Sequence, residues 1–433
     1  MTPEILTLAM FGALVLAIML GVSLSFAMGG IAVIFALILE GPNGLYSVVS
    51  STFGNMWSIL LSAIPLFVAI GIALGKSKIA DDLYRAFYLW SGRVNGGLLV
   101  GTSGFAAVLS AMTGNCSAST ITTGLVGIPA MKRHGYNDRF VLGTIGASGT
   151  LGILIPPSIT LIIIAMMTGL SVGKLFFGGL LAGLFILAAF IIYIMVRANL
   201  KPSLAPAAEM AAPMREKIGA LKSVILPLLI VLSVLVSIFL GIATPTEAAA
   251  VGVAAVLFSV WLRGELSLKF LREVSHETAS VTGMVVWIIF GAGAFVSIYS
   301  SGGGVNFMLD LLRGSSMHPW MLIVVMQIAA LILGMFLDPV GIILLTLPIF
   351  FPIVVELGFD PIWFCVTFQL NLCIGYITPP FGYNLFYLKS LSPETPISQI
   401  YGAVMPFLLI MLLTGGFLIA VPDILIGLTA YMN

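Results

Sequence analysis

Long apolar stretches, separated by short polar segments that carry nearly all the charge, set the pattern of this chain. Continuous hydrophobic runs fall at about 4–20, 24–39, 48–75, 140–169, 175–196, 223–240, 247–262, 278–299, 361–388 and 400–421. Each is long enough for a helix to cross a bilayer, which takes about 20 residues. Two further stretches, 98–131 and 319–356, are too long for one crossing and are broken near the middle. If each is a re-entrant hairpin that enters and leaves on one side, the polar segments sort by charge. Seven basic residues between Lys76 and Arg139, eight between Arg197 and Arg272, and Lys389 then share one face, leaving only Lys174 and Arg313 on the other. That asymmetry is the positive-inside rule. It places both termini on the periplasmic side of an inner membrane, with no cleavable leader evident at the start.

Composition narrows the class. Sixty percent of the 433 residues are hydrophobic and 8% are charged, too few charges to cover a water-soluble domain. The net charge of +1 gives no reason to expect nucleic acid. Three cysteines in apolar segments and three scattered histidines offer neither a disulfide framework nor a zinc spacing. Gly302-Gly303-Gly304 lacks the lysine of a phosphate loop, which argues against an ATPase.

The chain also repeats itself. A shift of 223 residues brings Asn115 onto Asp338, Pro129 onto Pro352, Gly152 onto Gly375 and Pro156-Pro157 onto Pro379-Pro380. With the topology above, the two halves are inverted. Inverted repeats mark secondary transporters whose sites lie near mid-membrane, where the repeats meet. A polar linker over 197–222 joins the halves, and amphipathic arms are expected at 76–92 and 305–313.

Four segments should interrupt helices inside the membrane: 113–117 (TGNCS), 337–341 (LDPVG), 149–158 (GTLGILIPPS) and 375–382 (GYITPPFG). Double prolines leave carbonyls without helical partners, which is tolerated at that depth only in protein interiors or polar cavities. Freed carbonyls suit an alkali cation, and the new helix N-termini suit an anion. Asp338 is the one acid placed deep in the bilayer, with no lysine or arginine at its depth, so a bound cation is the expected counter-charge. A simpler reading is an Asp-Pro turn cap. Ser117, Ser119 and Thr120 beside the first tip, with Asn371, Tyr383 and Asn384 near the second break, are the nearest polar groups for an anionic substrate. Small hydroxyls can instead serve only to pack helices. Glu247 opens a helix and reads as a cap.

At 149–158, 241–252 (GIATPTEAAAVG), 337–352 (LDPVGIILLTLPIFFP), 374–381 (IGYITPPF) and 128–136 (IPAMKRHGY), the chain resembles the large membrane subunit of the tripartite ATP-independent periplasmic (TRAP) transporters. The first tip departs from that family's run of Gly and Ser. The resemblance implies an all-α polytopic membrane protein with an inverted repeat, two re-entrant helical hairpins and broken transmembrane helices, of the ion-transporter superfamily and elevator type. Scaffold would then comprise 1–91 and 223–300. A mobile transport domain would comprise 92–196 and 301–433, the latter including the second arm. The resemblance further implies sodium ligands at the first tip and first break (Asn115, Ser117, Gly149, Gly152, Pro156) and at the second (Leu337, Asp338, Thr378, Pro379). Its expected partners are a small four-helix membrane subunit, a periplasmic binding protein that delivers a small carboxylate or sulfonate, and the lipid bilayer. A stand-alone sodium/dicarboxylate symporter is the alternative, and a membrane-embedded enzyme a remote one. No catalytic residues are expected.

Overall fold

The computed structural model describes residues 1–91, 94–207, 213–314 and 317–429. Gly92 at the end of the expected first arm, Arg93, linker residues 208–212 and the last residues, 430–433, lie outside them. The described residues form helices and turns only. The first half contains α1 (Pro3–Met19), α2 (Leu24–Glu40), α3 (Gly44–Met56), α4 (Ile59–Lys76), α5 (Ile79–Ser91), α6 (Gly97–Thr113), α7 (Cys116–Arg133), α8 (Asp138–Gly149), α9 (Ile159–Thr168) and α10 (Val172–Leu200). The second contains α11 (Met214–Phe239), α12 (Pro245–Leu262), α13 (Leu268–Ser301), α14 (Gly304–Gly314), α15 (Pro319–Phe336), α16 (Pro339–Glu356), α17 (Pro361–Gly375), α18 (Tyr383–Leu391), α19 (Ile397–Ala420) and α20 (Asp423–Thr429). Eight stretches among the described residues are long and apolar enough to cross a membrane. Their outward faces carry large exposed side chains such as Phe26, Ile192 and Leu413, as a lipid-facing surface requires.

Both expected hairpins are present. In the first, Thr102 of α6 lies by Met131 of α7, and Ser119 Oγ donates to the Ala106 carbonyl at 3.1 Å. The two helices therefore run antiparallel, and the chain reverses at Gly114-Asn115. In the second, the reversal falls at Leu337-Asp338, and Arg313 on α14 holds Glu356 at the exit of α16 with two hydrogen bonds of 2.7 and 3.0 Å. The hairpins enter from opposite ends of α13. Lys76, before the first, pairs with Glu277 near the start of α13 at 2.8 Å, whereas the second follows the far end at Ser301. Their tips meet beside the middle of α13.

The repeat extends to helix bounds. Adding 223 to the ends of α7, 116 and 133, gives those of α16, 339 and 356. The matched prolines Pro129 and Pro352 sit inside these two returning helices. The broken spans also match: α8 and α9 are separated by 150–158, and α17 and α18 by 376–382. The expected arms appear as α5 and α14.

Two boundaries differ from the sequence reading. The single span expected at 48–75 is two helices, α3 and α4, because Ser58 takes an extended conformation (φ −68°, ψ 117°) that ends the run after the exposed Trp57. A sharp reversal also precedes α3: a β-carbon on Gly44 would lie 2.4 Å from the Ala36 carbonyl oxygen. The linker, read as 197–222, is helical at both ends. Leu204 and Ala205 within it are pinned by main-chain bonds from the amides of Asn137 (2.9 Å) and Gly96 (2.8 Å).

Candidate functional site

Each tip is built by one side chain that caps the returning helix. Asn115 Oδ1 accepts from the Ser117 amide at 2.8 Å, and Asp338 Oδ1 accepts from the Val340 amide at 2.9 Å. A short polar side chain followed by two free amides is the ordinary N-cap arrangement, so matched sequence positions give matched geometry. At the first tip Ser117 Oγ also donates to Asn115 Oδ1 at 2.7 Å. At the second, the Tyr376 hydroxyl donates to Asp338 Oδ2 at 3.3 Å.

Close backbone contact seats the first tip on its broken span. A β-carbon on Gly152 would lie 2.7 Å from the Asn115 carbonyl, and the Cys116 thiol donates to the Thr150 carbonyl at 3.2 Å. The matched Gly375 meets the backbone of Gly334, in the outgoing arm of the second hairpin, at 2.8 Å by the same measure. Any side chain at either glycine would push the hairpin away. Cis peptide bonds join Pro156 to Pro157 and Pro379 to Pro380.

The two tips enclose a cavity of about 130 Å³. Its lining comprises Gly114, Asn115 and Ser117 from the first tip and Asp338, Pro339 and Val340 from the second. Ile153 comes from the first break, Ile159 and Thr160 from the start of α9, Tyr376 and Tyr387 from the second break and from α18, and Val281, Met284 and Val285 from α13. Among the described residues, no lysine or arginine lines it. Asp338 is therefore a carboxylate with hydroxyl and amide partners but no cationic one among the described residues.

The expected site residues divide. Asn115, Ser117 and Asp338 come together at the cavity, with Leu337 buried just before Asp338. Thr120 lies at the first break: a β-carbon on Gly149 would sit 1.9 Å from its Oγ1, and that buried oxygen has no hydrogen-bond partner among the described residues. Thr378 bonds to the Ile374 carbonyl at 2.7 Å within the second break, beside Pro379. Pro156 lies in the buried first break. Ser119 bonds across the hairpin to Ser110 at 3.0 Å, which is helix packing. Asn371 bonds to Gln327 of α15 and faces a different, lateral groove, so the structure does not bring it to the tips. Asn384 donates to the Gly146 carbonyl at 3.1 Å, leaving its buried Oδ1 without a partner among the described residues. Tyr383 packs on Tyr376, ring centroids 5.5 Å apart, outside the cavity lining. Glu247 completes a capping box with Thr244, bonded to its amide at 2.8 Å.

Several participants escaped the sequence reading. Gln369 reaches from α17 to the first break, donating to the Ile153 carbonyl at 2.9 Å and to Thr160 Oγ1 at 2.8 Å. It ties the two repeats together, and its signal was a lone amide inside an apolar span. Tyr376 lay within a recognised break, and Tyr387 within a recognised span. Asp338 at the second tip and the partnerless Thr120 hydroxyl at the first break are separate oxygen donors. Oxygen donors of this kind are the chemistry a hard cation takes.

Comparisons with known proteins agree with this architecture. The model of the "Tripartite ATP-independent periplasmic transporter, DctM component" family matches residues 11–424. The C4-dicarboxylate TRAP transporter large permease protein DctM of Pseudomonas aeruginosa is 32% identical over 386 residues, covering 88% of this chain and 89% of that one. The sialic acid large permease SiaM of Vibrio cholerae is 29% identical over 391 residues, 90% of each. The Alcanivorax borkumensis YdaH transporter shares the fold, with a TM-score of 0.64 at 15% identity over 88% of this chain and 89% of that one. The relatives are transporter permeases, not enzymes. With its family match spanning nearly the whole length, the chain belongs to the DctM family, the large membrane permeases of TRAP transporters.

Proposed function

We propose that this permease imports a small organic anion by sodium symport, with the tip cavity as the shared site. The observation that carries the reading is Asp338, a carboxylate at a cavity that no lysine or arginine lines. An uncompensated charge inside a membrane is costly, and a sodium ion supplies the missing counter-charge. The N-termini of α7 and α16 open at the same cavity, where free amides and helix dipoles favour the substrate's anionic group. Sodium and substrate are then coupled because each stabilises the same arrangement of tips. At about 30 Å³ per water, a cavity of about 130 Å³ holds an ion and an acid group. A larger substrate requires the tips and α13 to part.

The elevator reading assigns α6–α10 and α14–α20 to a moving body, and α1–α5 with α11–α13 to a fixed frame. The substrate class rests on relatives named for C4-dicarboxylates, sialic acid and isethionate. The isethionate relative, the permease protein DctMQ of Oleidesulfovibrio alaskensis, is covered to 63% of its length by this chain. A separate small membrane subunit here, with a periplasmic binding protein delivering the substrate, completes the proposal, together with periplasmic termini. The test is uptake into proteoliposomes holding the permease with both partners. An inward sodium gradient should drive accumulation that a potassium gradient does not, and equal uptake under both would refute sodium coupling.

A further inference from the structure

A second cleft, away from the tips, lies between the arm helix α5 and the returning hairpin helix α7. Its volume is about 530 Å³. Arg85 lines it from α5 and Arg133 from α7, with Asp81 as the acidic lining residue. Among the described residues neither arginine forms an ion pair, whereas the neighbouring Lys132 pairs with Glu394 at 3.5 Å. Two unpaired guanidinium groups, brought to one cleft by different elements, favour a phosphate or carboxylate. His134 holds the cleft together. With Nδ1 donating to the Ala130 carbonyl at 2.8 Å, its Nε2 accepts from the Tyr88 hydroxyl on α5 at 3.1 Å.

The same cleft has an apolar wall. Val126 and Leu125 line it, and Leu125 is 63% exposed. The α5 helix continues to Trp90, 52% exposed, whose ring carries the Lys217 ammonium at 5.6 Å. An amphipathic helix ending on an exposed tryptophan and a cation belongs at a bilayer interface. Free phosphate would use the arginines and leave the apolar wall idle; a phospholipid uses both. We propose that the α5–α7 cleft binds an anionic phospholipid, its phosphate on Arg85 and Arg133 and an acyl chain along Leu125 and Val126.

Thermal stability of the purified full chain, titrated with phosphatidylglycerol, phosphatidylcholine or inorganic phosphate, tests this. Phosphatidylglycerol should stabilise the wild type. In the double variant Arg85→Gln/Arg133→Gln the half-saturating concentration should rise about tenfold. Arg85→Lys/Arg133→Lys should keep most of the response, and so should Lys269→Gln/Arg272→Gln, which removes charge elsewhere. An unchanged response in the Gln pair, an equal loss in the Lys269/Arg272 control, or equal stabilisation by phosphatidylcholine would overturn the site. Stabilisation by inorganic phosphate alone would overturn the lipid as its occupant. None of these readouts depends on sodium coupling.

Discussion

The two hairpin tips have the same backbone plan and different charge. Both reverse at a residue that caps the returning helix through the amide two positions on, from Asn115 to Ser117 and from Asp338 to Val340. Both hairpins are approached by a glycine of the following broken span, within 3 Å of backbone by the β-carbon measure. Yet the first tip is neutral and the second carries a carboxylate. Asn caps a helix as well as Asp does, so capping does not explain the charge. The geometry of the repeat is a matter of folding; under the proposed function, the single carboxylate is a matter of what the cavity binds.

Substitutions can break that comparison, and their expected effects rank. Asp338→Asn keeps the cap and removes the charge. Sodium affinity, read from uptake in proteoliposomes, should fall on the order of a hundredfold, a loss of about 2.7 kcal/mol, with little change in thermal stability. Gly152→Ala and Gly375→Ala each force a methyl against backbone, at 2.7 and 2.8 Å. Each should cost about 1–3 kcal/mol of overpacking, seen as a lower Tm and reduced uptake together. Because each of the matched glycines presses on its own hairpin, Gly152 on the tip and Gly375 on the outgoing arm, similar losses support the repeat and a silent Gly375→Ala would break it. Asn115→Ala removes the cap and its bond from Ser117 Oγ, about 1 kcal/mol for the cap, and should leave sodium affinity within a few-fold of wild type. Tyr376→Phe deletes one hydroxyl bond to Asp338. It should weaken sodium binding by a few-fold, below 1 kcal/mol, detectable as a small shift in a sodium titration.

Much of this architecture is legible in the sequence because membrane folds obey few rules. Apolar length places the helices, and the double prolines mark where two spans break. Those signals find both hairpins, both broken spans and the Asn115/Asp338 match. They fail where tertiary contact decides. The interruption at Trp57-Ser58 has no proline or charge to announce it. Asn371 and Tyr383 were drawn to the site by their nearness in sequence to a break, but the helix turns Asn371 away towards Gln327. Conversely, Gln369, two residues earlier on the same helix, reaches the first break in space. Which face of a fully buried helix meets which partner is not encoded in hydrophobic period, because both faces of α17 are apolar.

Binding of radioactive sodium to the purified permease, wild type and Asp338→Asn, with and without substrate, addresses the tip cavity most directly. The wild type should bind sodium in preference to potassium and more tightly when substrate is present, and Asp338→Asn should lose most of that affinity while still folding. Equal sodium binding by the two proteins would contradict a cation held at the second tip.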